Sequence, residues 1–298
     1  MFCYDGVTFE ETAPLMGIKD RLFHERYEGP LYLRFEFEVD TLPQNLSIAV
    51  EPLNYTLVKV NETTVELSDT PWFDPSFRTV DIIALVRSGK NQVTLALNYF
   101  QRDYVYYVLY GGVSETLRNC LDFDTEIEPI YLFGSFRVKT DPARFVPGAR
   151  NSFRYDGPFV LEAQTDKLDC HNVVTDGYPF YSGKLTFATE YNYESGMATT
   201  LRLNGRYAVA EIEVNGTSVG ELLFTDRLDL APHLKPGANE IRVTVCNAHR
   251  NLMGPHHLPE EETFWTSPYS FTFEGDWHDG KCKRYNPTYS FIRYGFDT

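Results

Sequence analysis

Basic residues are scarce in this 298-residue sequence, which has 27 Lys and Arg against 42 Asp and Glu and a formal net charge of −15. Such an excess of negative charge repels phosphates, so it argues against a nucleic-acid partner and against an anionic membrane surface. An acidic chain with 20 tyrosines is better suited to neutral polyols or to other proteins.

Long hydrophobic runs are also lacking. No apolar stretch approaches the roughly 20 residues that a membrane-spanning helix needs. The opening residues, MFCYDGVTFEETAPLMG, have neither a basic start nor a continuous apolar segment, so no signal peptide is predicted. The expected location is cytoplasmic, unless the chain is a fragment of a larger protein.

The five cysteines are widely spaced, and no C-x-x-C pair occurs among them. An odd, scattered set is typical of reduced thiols and gives no disulfide framework. No metal site and no organic cofactor is predicted from these residues.

Helical periodicity is nearly absent, and most of the chain consists of short alternating segments. In LYLRFEFEV, residues 31–39, apolar and polar side chains alternate with the period of a half-buried strand. RDYVYYVLY, residues 102–110, is interpreted as a buried strand for the same reason. A short helix is expected near residues 114–119, where Ser114 can cap it. The predicted fold class is all-β.

A repeat organises this pattern. VKVNETTVEL near residue 58 and IEVNGTSVGEL near residue 212 both run strand, turn at Asn61 or Asn215, strand. An Asp-hydrophobic segment, a Gly-x-Asn turn and a final alternating strand follow in each copy, and the Gly and Asn suit positive φ. Two copies about 150 residues apart match the two domains expected from the length.

These features give a predicted domain division. Residues 1–28 are expected to form a connector, residues 29–140 the first β-sandwich, and residues 141–298 the second. The boundary falls in KTDPARFVPGAR, residues 139–150, which is rich in Pro, Gly and charge.

The second copy resembles a known family. DGYPFYSGKLTFATEY, AEIEVNGTSVGELLFT and LDLAPHLKPGANEIRVTVCN resemble the opening strands, hairpin and closing strand of the galactose-binding-domain-like jelly roll, the sugar-binding domain of glycoside hydrolase family 2. The RNLMGPHH tail is similar to that of rhamnosidase-like bacterial hydrolases. The resemblance is good over residues 177–257 and moderate over residues 31–138. It implies two tandem antiparallel jelly-roll sandwiches.

The resemblance also implies a function. It points to a non-catalytic carbohydrate-binding accessory region of a bacterial glycoside hydrolase, with carbohydrate and a catalytic (β/α)₈ domain of the same parent protein as partners. It supplies no catalytic residues, because such enzymes carry them on the barrel, and no barrel pattern occurs here. A structural Ca²⁺ would suit this fold, although no Asp-rich loop singles out a site. The alternatives are a purely structural pair of sandwiches that docks the barrel, or a pair that contributes a loop to its active site.

Sugar rings are recognised by aromatic faces, and aromatics on loops are therefore informative. Each such aromatic has an alternative role, which is to close the end of a core or to contact a neighbouring domain. The predicted sugar-binding residues are Trp72, Tyr178, Tyr181, Trp265 and Trp277.

Three other sequence patterns are candidates for catalytic or metal-binding sites. GTSVG, residues 216–220, matches a nucleophile elbow, but its flanks are strands and the preceding Asn-Gly predicts a hairpin. CNAHRNLMGPHH, residues 246–257, holds three histidines, and we expect its polar side chains to bind backbone groups of their own loop. Its other interpretations are a metal site and an interface with a catalytic domain.

The third pattern is acidic. Asp124, Glu126 and Glu128 share one face of a predicted strand, at a spacing that paired glycosidase carboxylates would allow. A solvated acidic face is the simpler interpretation, because nothing nearby is expected to keep one carboxyl protonated.

Overall fold

The structure is a computed structural model that describes residues 1–10, 13–51, 54–165, 167–267, 270–271, 277–278 and 281–297. Within these residues the chain is mainly β with few helices, consistent with an all-β sandwich protein, as the alternation predicts.

The elements follow in chain order. The first strands are β1 (Phe2–Cys3), β2 (Gly29–Val39), β3 (Leu46–Val50), β4 (Tyr55–Val60), β5 (Thr63–Thr64), β6 (Arg78–Asp81), β7 (Gly89–Tyr99), β8 (Tyr131–Gly134), β9 (Phe136–Lys139), β10 (Val146–Pro147), β11 (Ser152–Tyr155) and β12 (Val160–Ala163). The later strands are β13 (Lys184–Tyr193), β14 (Thr200–Arg202), β15 (Gly205–Arg206), β16 (Val209–Val214), β17 (Thr217–Leu222), β18 (Arg227–Asp229), β19 (Gly237–Cys246), β20 (Trp277–His278), β21 (Lys281–Cys282), β22 (Tyr289–Ile292) and β23 (Gly295–Phe296). The α-helices are α1 (Leu15–Glu25), α2 (Asp103–Tyr110), α3 (Glu115–Asn119) and α4 (Arg250–Met253), and 3₁₀ turns lie at Ile83–Leu85, Pro142–Arg144 and Ala149–Asn151.

The chain divides into two compact units. The first comprises residues 1–139, 159–164 and 272–285, and the second comprises residues 140–158, 165–271 and 286–298. Residues 1–28, expected to be a connector, contribute β1 and α1 to the first unit, where Ile18 and Leu22 are buried in the core.

Among the described residues, the first unit contains two sheets around one core and a separate two-stranded sheet of β20 and β21. The larger sheet has the order β5-β4-β7-β2-β12-β9, with β1 paired to β2, and the smaller has the order β6-β3-β8. Alternate residues of the larger sheet, such as Leu33 and Leu95, are buried together with Ile48 of the smaller sheet. This packing of two apolar faces is that of a β-sandwich.

The second unit repeats this arrangement. Its main sheet has the order β17-β16-β19-β13, which matches β5-β4-β7-β2 of the first unit, and β14 pairs with β18 as β3 pairs with β6. Ile212 and Val243 of the main sheet are buried with Leu201 and Leu228 of the smaller pair against them. Further short sheets, β10-β11-β22 and β15-β23, complete this unit.

The turns of the repeat are built from equivalent hydrogen bonds. Asn61 Nδ2 donates to Asn91 Oδ1 at 3.0 Å, and Asn215 Nδ2 donates to Asn239 Oδ1 at 2.9 Å. In both copies the first asparagine has positive φ, 51° or 52°, and its Oδ1 accepts the backbone N–H that follows the second. The predicted repeat is therefore present in three dimensions, down to single hydrogen bonds.

The second asparagine of each copy holds the turn before the last long strand. Asn239 is fully buried, its Nδ2 donates to the carbonyls of Lys235 and Gly237 at 2.8 Å each, and its Oδ1 accepts from Lys235 N at 3.0 Å. Asn91 makes the same three bonds in the first unit, to Arg87 and Gly89. The Gly-x-Asn pattern thus reflects a side chain that replaces missing strand hydrogen bonds.

Two local predictions have clear outcomes. The hairpin at GTSVG is confirmed, because Ser218 lies in β17 opposite Glu213 and the turn residues Asn215 and Gly216 have φ of 52° and 77°. The short helix at residues 115–119 is confirmed as α3, in which the Ser114 side chain accepts from Leu117 N.

The prediction of a buried strand at RDYVYYVLY is wrong. Residues 103–110 form helix α2, in which Val105 and Val108 are buried while Tyr104 and Tyr107 are exposed. The β-propensity of Tyr and Val favours a strand, but here packing against Phe23 of α1 outweighs it. No described helix is both long and apolar enough to cross a membrane.

Removal of the Asn239 side chain should destabilise the second unit. Asn239→Ala leaves several buried backbone groups without partners, so we expect a loss of about 2–4 kcal/mol in the free energy of unfolding. Urea denaturation followed by fluorescence and circular dichroism measures this loss.

Asn192 is the matched control, because it is an exposed asparagine in the neighbouring strand β13. Asn192→Ala should change the free energy of unfolding by less than about 0.5 kcal/mol. Equal effects of the two substitutions would show that the asparagine network does not stabilise the turn.

Candidate functional site

The predicted sugar-binding aromatics do not form one cluster. Trp72 and Trp277 belong to the first unit, and Tyr178, Tyr181 and Trp265 belong to the second. Trp265 is 72% exposed and Trp277 only 8% exposed, whereas the other three side chains are half-buried.

Trp72 lies in a cluster of aromatic rings in the first unit. Its ring stacks on Phe133 of β8 at a centroid distance of 5.0 Å and an interplanar angle of 18°. The rings of Phe77 and Tyr131 lie 6.1 and 5.8 Å away. Phe133 covers one face of the indole, so Trp72 anchors the segment that carries it to β8. We call this segment, residues 69–77, the aromatic loop.

Phe73 is the exposed tip of the aromatic loop, with 64% of its surface accessible. Asp74 N donates to Trp72 O at 2.6 Å across Phe73, whose φ is 62°. This is a γ-turn of the rare positive-φ form. Positive φ in a bulky residue costs free energy, and such strain is concentrated where a side chain must be presented to a ligand.

The chain around this turn is held by local hydrogen bonds. Asp74 Oδ1 accepts from Ser76 N at 2.8 Å and from Ser76 Oγ at 2.7 Å, and these bonds lower the pKa of the Asp74 carboxyl. Arg78 Nη1 donates to Pro75 O at 2.6 Å. The exposed ring therefore stands on an ordered turn, which reduces the entropy lost when a ligand binds.

The half-buried carboxylates of Glu128 and Glu51 act electrostatically on Tyr131 of the aromatic cluster. Burial raises the pKa of Glu128, and Glu126 and Glu51 raise it further, while Lys19 opposes the change. The pKa of Tyr131 is raised by burial and by Glu128 and Glu51, so the aromatic cluster and these acids share one electrostatic environment. Carboxylates beside aromatic rings are suitable acceptors for sugar hydroxyls.

The segment that contains Asp124, Glu126 and Glu128 does not form the predicted strand. Residues 121–130 form no strand, although Thr125 and Ile127 are buried between the acids. Asp124 forms an ion pair with Arg102, whose Nε is 2.5 Å from Oδ1, and its Oδ2 accepts from Arg102 N. Asp124 therefore holds the start of α2, whereas burial raises the pKa of the Glu128 carboxyl and the positive charge of Lys19 lowers it.

In the second unit, Tyr178 and Tyr181 pack edge to face with centroids 6.0 Å apart. The Tyr181 hydroxyl donates to Lys184 O at 2.8 Å, and burial raises its pKa. The Tyr181 side chain is therefore tied to the first residue of β13.

Trp265 and Trp277 have opposite surroundings. Trp265 is exposed beside Phe264, over which the Arg150 guanidinium lies 3.9 Å from the ring centroid. Trp277 packs in the first unit against Gly17 of α1, where an added Cβ would lie 3.3 Å from the indole. A buried indole offers no open face, so Trp265 is the better placed of the two for a ligand.

Polar side chains of the histidine-rich segment at residues 246–257 bind backbone groups, as predicted, but these groups lie on facing segments and not on the same loop. Asn247 accepts from Gly183 N and donates to Tyr181 O, both at 2.8 Å. Asn251 exchanges two hydrogen bonds of 2.8 Å with the backbone of Ile292. The sequence CNAHRNLMGPHH is therefore a structural clamp between β19 and β22.

The two adjacent histidines complete this clamp. His256 Nδ1 donates to Ser290 O at 3.2 Å, and His257 Nδ1 lies 3.0 Å from Asn286 O. His256 packs among the rings of Phe180, Tyr289 and Phe291. Burial first, and then the charge of Arg250, lowers the pKa of His256 to about 4.

This buried neutral histidine predicts loss of stability in mild acid. Unfolded His256 takes up a proton near its ordinary pKa of 6.5, whereas the folded chain resists protonation down to about 4. The unfolded state therefore binds more protons in this window, and stability should fall by up to about 3 kcal/mol as the pH drops through it. Melting temperatures measured between these pH values test this.

His256→Phe removes the titrating group and keeps an aromatic ring in the cluster. The variant should show a shallower decline of melting temperature with acid than the native chain, although it loses the bond to Ser290. His233→Phe is the control, because His233 is exposed. Identical slopes for the native chain and His256→Phe would contradict the assignment.

Within the described residues, one group of side chains has the composition of a metal site. The ligand atoms of Asp169, Cys170 and His171 lie within 4.8 Å of one another. Asp169 Oδ1 already accepts from His171 N, and His171 Nδ1 lies 3.2 Å from Phe296 O. The group has partners of its own and carries no functional assignment.

Phe73 is the residue that sequence reasoning missed. The only signal was its position after Trp72 in a loop bounded by prolines, and nothing in the sequence indicates which of two adjacent aromatics faces solvent. The structure decides this through the turn that buries part of Trp72 and exposes Phe73.

No protein family and no curated protein matches the sequence. Among solved structures, the chain is similar to an α-L-rhamnosidase of Streptomyces avermitilis, with 11% identity, a TM-score of 0.30, and coverage of 78% of this chain and 23% of that chain. It is also similar to a putative β-galactosidase of Bacteroides fragilis, with 14% identity, a TM-score of 0.25, and coverage of 75% and 28%. A rhamnosidase of Novosphingobium sp. PP1Y gives 16% identity, a TM-score of 0.25, and coverage of 88% and 22%.

The chain thus spans between 22% and 28% of the length of these three proteins. The likenesses are too weak to assign it to a family.

Proposed function

We propose that this chain is a non-catalytic carbohydrate-binding accessory region of a bacterial glycoside hydrolase, built from two tandem jelly-roll sandwiches. The observation that carries the proposal is the aromatic loop. A phenyl ring that is 64% exposed stands on a strained turn next to a tryptophan-centred cluster, and the half-buried carboxylates of Glu128 and Glu51 act electrostatically on Tyr131 of that cluster. Exposed rings stack on the C–H faces of sugars, and carboxylates accept their hydroxyl groups.

The duplicated sheet pattern supports two related sandwiches. The matched strand orders and the matched pairs Asn61–Asn91 and Asn215–Asn239 are those of one unit present twice. The resemblance of residues 177–257 to galactose-binding-like jelly rolls gives this unit a sugar-binding context.

Binding explains the site better than catalysis does. Glycoside hydrolysis needs two carboxyl groups placed on either side of one bond. Asp124 is neutralised by Arg102, and burial raises the pKa of the Glu128 carboxyl while the positive charge of Lys19 lowers it. The acids of this run therefore do not form an isolated pair.

A docking role for the same chain has one observation in its favour. Tyr104, Tyr107 and Tyr110 follow one face of α2 and are 50%, 58% and 52% exposed. Such an aromatic face suits contact with another protein domain, for which the proposed parent hydrolase supplies the barrel.

Phe73→Gly should separate sugar binding from folding. Glycine adopts positive φ without strain, so the variant should melt at the native temperature or above it. Loss of the ring should weaken glycan binding about three- to tenfold, as removal of an aromatic contact implies. Calorimetry with rhamnose-, galactose- and glucuronate-containing oligosaccharides measures the affinity.

Phe224→Ala is the matched control, because Phe224 is 97% exposed and belongs to the other unit. It should leave glycan affinity unchanged. A folded native chain that binds no glycan at millimolar concentration would refute the binding proposal and favour the docking role.

A further inference from the structure

A polar cleft in the second unit has no part in the function proposed above. Its volume is about 790 Å³, which lies within the range of small-molecule sites. Its walls are drawn from residues 147–153, 205–208 and 292–297, together with Ala248.

Positive residues outnumber negative ones among those that line this cleft, whereas the whole chain is acidic. The charged residues among those that line it are Arg206, Arg293 and Asp297, two positive and one negative, whereas the whole chain has a net charge of −15. A local positive balance on an acidic protein attracts an anion and holds it against the repulsion of the remaining surface.

Arg206 contributes positive charge to the cleft. It lies in β15, whose pairing with Gly295 of β23 fixes its backbone, and its side chain is exposed. In the described part of the chain no hydrogen bond or ion pair engages its guanidinium. The planar fork of arginine matches a carboxylate through two parallel hydrogen bonds.

Arg293 has a different role. Its Nη2 donates to Asp297 Oδ1 at 2.5 Å and to Phe296 O at 3.1 Å, so the charge of Asp297 is neutralised within the cleft. Its Nε is buried and has no partner among the described residues. The ion pair therefore leaves Arg206 as the uncompensated charge.

Neutral groups that suit a sugar ring surround this cation. Asn151 lines the cleft and is exposed, with a φ of 62°. Tyr207 and Tyr294 also line it, and their hydroxyls donate to the carbonyls of Leu203 and Ala248. Since those phenolic protons are already used, the rings contribute mainly apolar surface, while the amide can bond to hydroxyl groups.

We propose that this cleft binds a sugar acid, with Arg206 holding the carboxylate of a uronate residue in an acidic glycan. The inference rests on the proposed carbohydrate-binding function and deepens it by naming the ligand class. The cleft is separate from the aromatic loop, since all its lining residues belong to the second unit.

Calorimetry on the full chain with a matched pair of ligands tests this. One ligand is a neutral disaccharide, and the other is the same disaccharide with its terminal CH₂OH oxidised to a carboxylate. The native chain should bind the acid at least about tenfold more tightly, and this preference should weaken as salt is raised, because an exposed charge pair is screened.

Arg206→Gln should abolish the preference for the acid. Arg202→Gln is its control, because Arg202 is a comparably exposed arginine of the same unit that is paired with Asp226 outside the cleft. Asn151→Gly removes the amide at a backbone angle that glycine accepts, so it should fold normally and bind both disaccharides more weakly.

Equal affinity of the native chain for the two disaccharides would overturn the inference, as would a preference that survives Arg206→Gln. Sodium acetate that displaces the acid at equal concentration would also overturn it, since it would reveal a general anion site. If the chain binds neutral glycans through Phe73 but shows no preference for the acid, the proposed uronate site in the cleft is refuted. The proposed carbohydrate-binding function then still stands. A preference that survives Phe73→Gly and is lost in Arg206→Gln supports the cleft.

Discussion

In each unit a buried asparagine replaces the hydrogen bonds that the chain loses where it turns into its last long strand. Asn91 and Asn239 each bind the turn before that strand, and each accepts from a second asparagine in the hairpin turn of the neighbouring strand. A turn and a hairpin that are distant in sequence are thus joined by one side-chain contact. Because an unpaired buried amide is costly, this contact fixes the register of the central strands, and the loops at their ends inherit that geometry.

The candidate sites are placed by this scaffold and differ in chemistry. In the first unit the smaller sheet supplies Phe133 and Tyr131, against which Trp72 packs so that Phe73 is presented to solvent. In the second unit β15 holds Arg206 at the wall of a polar cleft. The two units share a strand arrangement but differ at their loops and edges, with exposed aromatic rings in one and a charged cleft in the other.

Polar side chains of residues 246–257 stabilise the second unit through hydrogen bonds to backbone groups. The segment at residues 246–257 has the composition of a metal site, yet Asn247, Asn251 and His256 satisfy backbone groups of facing segments. The low pKa of His256 follows from that burial and makes the clamp sensitive to acid. A perturbed pKa here marks a structural group, which shows why perturbation alone does not identify a catalytic residue.

The sequence by itself determined the β character, the repeat and the hairpins, because strand alternation and the Asn and Gly turn signals are local and depend on backbone geometry. It also indicated the structural role of residues 246–257. Tertiary structure alone decided that residues 103–110 form a helix, since packing against Phe23 outweighs the β-propensity of Tyr and Val. Tertiary structure also decided that Phe73 is more exposed than Trp72, that Trp277 is buried and that Arg206 lines a cleft. The reason is that side-chain exposure depends on contacts between segments distant in sequence.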